Sequence, residues 1–126
     1  MALTPDEIFL VAQAILDRLS HDDTHWTVAS VDFSPKSMPD PRVMLVQVEK
    51  VSDPSCTVGS YFSQTIPTQQ AIAQLASSLQ DEVIETVRMA VPECSGHRHP
   101  MSARVEDGQA VWVCPVDGSA EEAIIG

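Results

Sequence analysis

The stretch Glu93–Gly118, ECSGHRHPMSARVEDGQAVWVCPVDG, holds two of the three cysteines and two of the four histidines. Its centre reads as a β-hairpin. Ala103–Glu106 and Ala110–Val113 are short runs with β-branched and aromatic residues, separated by Asp107-Gly108-Gln109. Asp-Gly between such runs favours a tight turn, because both residues tolerate positive φ. A hairpin here brings its two ends together. Those ends carry Cys94, His97 and His99 on one side and Cys114 on the other.

Thiolate and imidazole ligands from two adjacent segments suit tetrahedral zinc. Cys94-Ser-Gly-His97 has the two-residue gap of a metal knuckle. Cys114-Pro-Val-Asp117-Gly118 has the outline of a second one, with Asp117 where a second ligand would stand. This is a zinc ribbon's plan with altered ligands. The expected set is Cys94, His97, His99 and Cys114, with Asp117 as the alternative fourth ligand. Imidazole is the better partner for this ion, which favours His99. Two other readings stand beside it. Cys94 and Cys114 can be small buried hydrophobes or a disulfide across the hairpin base, with His-Arg-His-Pro as a solvated loop.

Outward from the hairpin, the chain reads as a small α+β domain. Thr4-Pro5-Asp6-Glu7 is a helix start with a capping box, followed by Ile8, Val11, Ile15 and Leu19 at helical spacing. His21 and His25 lie beyond that helix with no evident partner. Trp26–Phe33 reads as a strand with Ala29, Val31 and Phe33 on one face. Arg42–Val51 alternates more clearly, and Thr57–Ser63 is a third strand in which Gly59 would mark a bulge. Pro67-Thr68-Gln69 opens a long second helix with Ile72, Leu75, Leu79, Val83 and Val87 on its core stripe. It is expected to run to about Val91, with Ser77-Ser78 or Asp81 as places to bend it and Pro92 to stop it. Glu85 is placed to reach Arg88.

The order is therefore helix, three-stranded antiparallel meander, long helix, then a C-terminal hairpin that is an appendage or a sheet extension. At 126 residues and 44% hydrophobic content, one compact unit is expected. Within it, residues 1–91 form the body, 92–118 the hairpin module and 119–126 a tail in which Ala123-Ile124-Ile125 could dock.

The C-terminal third resembles a recurring pattern in small actinobacterial-type proteins. There a helix leads into P-x-C-x-x-H-x-H-P, then an acidic-Gly turn, then W-x-C-P. The matching residues are Pro92, Cys94, His97, His99-Pro100, Trp112 and Cys114-Pro115. The resemblance covers about a quarter of the chain and implies no reaction, substrate or partner.

Charge narrows the function classes. The net charge is −11, and the seven Lys and Arg are scattered singly. Phosphate neutralisation supplies most nucleic-acid affinity, so nucleic acid is not an expected partner. Acid near the N-terminus, an odd cysteine count and the lack of a long apolar run point to a cytoplasmic protein without a membrane span. No G-x-S-x-G, phosphate loop or dinucleotide fingerprint occurs. The expectation is a non-enzymatic protein-binding or adaptor module with a structural zinc ion. The alternative is a metal-dependent hydrolase with an open site at the hairpin base and Glu93 or Glu106 as base.

Overall fold

The computed structural model describes residues 3–20, 24–33, 42–88, 90–92, 99–116 and 121–125. Helix α1 (Pro5–Leu19) begins as its sequence dictates. The Thr4 hydroxyl accepts from the Glu7 amide at 3.2 Å, and the Glu7 carboxylate accepts from the Thr4 amide at 3.0 Å. Two otherwise orphaned donors are satisfied reciprocally. The helix buries Ile8, Val11, Ala12, Ile15, Leu16 and Leu19, while Leu10 stays exposed.

Strands β1 (Trp26–Phe33), β2 (Val43–Lys50) and β3 (Asp53–Ser63) form the antiparallel meander in the order β1-β2-β3. Met44, Val46 and Val48 face inward, with Val28, Val48 and Val58 in one row across the sheet. Strand β1 does not keep one alternation throughout. A bulge between Val28 and Ser30 shifts the phase, so Trp26 and Val28 are buried and Ala29 is exposed; of the expected Ala29–Val31–Phe33 face, Ala29 points out, while Val31 lies opposite Val46 and packs against the core. Gly59 is not a bulge either, since it pairs in register with Gln47. A Cβ there would meet the Leu45 side chain at 3.3 Å, so glycine makes room for Leu45 on the outer face. The irregularity in β3 falls earlier, where Glu49 pairs with Thr57 but Lys50 with Asp53. Beside it, Ser55 donates to the Asp53 carboxylate from its hydroxyl and amide and holds that carboxyl below its usual pKa.

Helix α2 (Thr68–Val87) is one continuous element. Neither Ser77-Ser78 nor Asp81 divides it. It ends at Val87, short of the expected Val91, because Arg88 takes the left-handed conformation of a helix C-cap. Glu85 reaches Arg88 at 3.9 Å on an exposed face.

The hairpin forms as expected, from β4 (Ser102–Glu106) and β5 (Gln109–Val113), with Asp107 and Gly108 both at positive φ. It is neither an appendage nor an extension of the first sheet. Strand β6 (Glu121–Ala123) pairs antiparallel with β5, so the expected tail supplies a third strand to a second sheet, β4-β5-β6. Ile124 follows it into the core.

Helix α1 lies over β1, α2 over β3, and α2 also contacts β4 and β5. Helix α2 is thus held between the two sheets. Met101, Ala110, Trp112, Cys114 and Ile124 belong to the same hydrophobic cluster as Ile15, Val46, Leu75 and Val83.

Candidate functional site

The hairpin base is built by the register of β4 and β5. The hairpin closes where Ser102 pairs with Val113, next in sequence to Met101 and Cys114. Cys114 is a buried free thiol within the hydrophobic cluster and takes part in no disulfide. His99 is half-buried, with Nδ1 3.4 Å from the Pro100 carbonyl oxygen. Of the five ligand candidates, these two are described. Cys94, His97 and Asp117 lie outside the described residues, as do His21 and Glu93. Among the described residues, no group of three or more His, Cys, Asp or Glu side chains is arranged to hold a metal. Glu106 pairs with Gln109 at the hairpin tip, a strand's length from the base and on an exposed position.

What fixes this base to the body is a side chain that the sequence analysis passed over. Gln80, 6% exposed, donates from Nε2 to the carbonyl oxygens of Val91 at 3.1 Å and Met101 at 2.5 Å. The Met101 amide in turn donates to the Pro92 carbonyl at 2.8 Å. The two arms entering the hairpin are thereby tied to α2 and to each other. Near the other end of α2, Gln69 accepts from the Ala110 amide at 2.8 Å. Gln69, Ala73, Ala76 and Gln80 recur at helical spacing, so one stripe of α2 serves the second sheet.

Helix α1 adds a contact from its last turn. Arg18 forms an ion pair with Glu122 of β6, and its Nη2 lies 3.8 Å from the Met101 sulfur. Both charged groups are over two-fifths exposed, so the pair orients β6 more than it stabilises it.

A second feature lies where α2 begins and the hairpin turns. Pro67, Thr68, Gln69, Gln70, Val105 and Gly108 line an open groove of 570 Å³. None of the six is charged, and Val105 is 42% exposed. Gln69 joins the two walls through its bond to Ala110, so the groove is pre-formed. No family model, curated protein or solved structure matches the chain. Among the described residues, no helix is long and apolar enough to cross a membrane.

Proposed function

We propose that this protein is a non-enzymatic protein-binding module that takes a short uncharged peptide segment in the groove between α2 and the β4–β5 turn. The observation that carries this is the groove's chemistry. It offers a half-exposed valine, a proline edge and glutamine amides, which suit an apolar anchor flanked by backbone hydrogen bonds. A peptide selected against the protein from a random library is expected to perturb the amide signals of Gln70, Val105 and Gly108. Val105→Glu should weaken that peptide by at least about tenfold, since it puts a desolvated charge against the anchor. Perturbations confined to other faces, or full binding by the variant, would refute the reading.

The hairpin base is proposed to hold one structural zinc ion, bound by Cys94, His97, Cys114 and either His99 or Asp117. The donor types, and the places of His99 and Cys114 beyond the two ends of the hairpin, support it. Four protein ligands close the coordination shell, which accords with structure rather than hydrolysis. Elemental analysis of untagged protein should find about one zinc per chain, and Cys114→Ser should remove most of it. His99→Ala should lower zinc occupancy more than Asp117→Ala. Protein without metal, with Cys94 and Cys114 reduced, would end the zinc assignment.

A further inference from the structure

The two sheets leave four free edges among the described residues, at β1, β3, β4 and β6. Exposed edges invite pairing with another chain, and proteins blunt them with charges, bulges or shortness. Three of the four carry such devices. Strand β1 has the Val28–Ser30 bulge and Asp32. Strand β4 carries Arg104 and Glu106, and β6 is three residues long with two glutamates.

Strand β3 is different. From Thr57 to Ser63 its register with β2 is regular, and those seven residues hold no charge. They lie in a run from Pro54 to Gln80 without a single Asp, Glu, Lys, Arg or His, in a chain of net charge −11. Of the apolar residues that β3 turns inward, Phe62 is buried, but the two toward the strand's start are incompletely covered. Val46 and Val48 of the neighbouring strand are fully buried, whereas Cys56 and Val58 are half-buried. Helix α2 returns antiparallel to β3, with the Ser60 and Ser78 hydroxyls 2.7 Å apart. That direction places half-buried Ile84 and Val87 toward the same end as Cys56 and Val58.

We propose that β3 is a homodimer edge: it pairs antiparallel with β3 of a second copy and joins the two meanders into one six-stranded sheet. The occupant follows from charge. Two molecules of this chain repel wherever acidic surfaces meet, and the Thr57–Ser63 segment of β3 brings no charges together. An uncharged edge gives a basic partner nothing to pair with, while a twofold axis lets the same backbone groups satisfy each other. The half-covered Cys56 and Val58 then gain a neighbour across the junction. This edge is separate from the groove described above, and neither reading depends on the other.

Sedimentation equilibrium of the full chain should show the mass rising with concentration from 13.7 kDa toward about twice that value. Raising salt from about 0.05 to 0.5 M should tighten the dimer roughly threefold, because screening removes the general repulsion without weakening an uncharged contact. Val58→Lys should weaken it by at least about tenfold. In the monomer the lysine can extend past the open edge to water, and in the joined sheet it cannot. Wild-type hydrogen exchange gives a readout that needs no variant: β3 amides should slow with concentration while β1 amides do not. A monomer up to about 1 mM would overturn the proposal. So would a dimer that a folded Val58→Lys protein keeps, one that salt weakens, or one that leaves β3 exchange unchanged.

Discussion

Trp112→Ala is expected to destabilise the whole domain by about 3–5 kcal/mol, and not merely to loosen the hairpin. Trp112 is 1% exposed and belongs to one continuous cluster with Ile15, Leu75 and Val83. Truncation therefore opens a cavity inside the cluster that both sheets and both helices share. For a domain of this size, the loss corresponds to roughly 10–20 °C in melting temperature. The chain's other tryptophan, Trp26, is buried in the first sheet and remains as a reporter there. In urea, Trp26 fluorescence and far-UV circular dichroism should follow a single transition at a lower midpoint than wild type. Leu75→Ala, on the adjacent stripe of α2, should behave the same way and cost about 2–5 kcal/mol. A Trp112→Ala protein whose Trp26 signal melts as in wild type would show that the hairpin module is energetically separate.

That expectation reverses a conclusion the sequence invites. The body reads as self-sufficient because its apolar periodicity is complete: Ile72, Leu75, Leu79 and Val83 account for one face of α2. The second buried stripe is written in Gln69, Ala73, Ala76 and Gln80, which hydropathy scores as neutral or polar. A helix that buries two adjacent faces, one with small and amide side chains, gives a weak periodic signal. Local chemistry was far more legible. The Thr4–Glu7 capping box and the Asp107-Gly108 turn are set by neighbouring residues alone, and both form as read. The misreadings were of phase and of long-range pairing. The β1 bulge changes which residues face inward before Ser30, and no composition rule marks it. Strand β6 is too short and too acidic to announce itself, and it exists because β5 offers an edge. The candidate metal site divides along the same line. Ligand types and spacing are visible in sequence, while Cys114's membership of the core follows from the register.

Gln80→Glu should give the other large effect, and its dependence on pH identifies the cause. The wild-type amide presents N–H groups to two buried carbonyl oxygens, from Val91 and Met101. A carboxylate at that position has no proton to donate and faces two acceptors in a site only 6% exposed. Burial and the facing carbonyls both disfavour the charged form, so the introduced group's pKa in the folded state rises above its unfolded value of about 4.3. A group raised in this way is best accommodated below its unfolded pKa and loses stability as pH climbs toward its folded one. If the rise is about three units, the variant should be weaker than wild type by about 4 kcal/mol at pH 7. Below pH of about 4 the deficit should shrink to about 1 kcal/mol, because the protonated acid donates to one carbonyl and leaves the other unmatched. Gln80→Met separates the charge from the lost hydrogen bonds. It fills the same volume, strands both carbonyls for about 1–3 kcal/mol each, and should show a deficit that does not vary with pH. Chemical denaturation of the three proteins from pH 4 to 8 would make the comparison, each variant read against wild type at the same pH. A Gln80→Glu deficit as flat with pH as that of Gln80→Met would mean that the carboxylate escapes to water. Gln80 would then not be the latch that holds the hairpin base to α2.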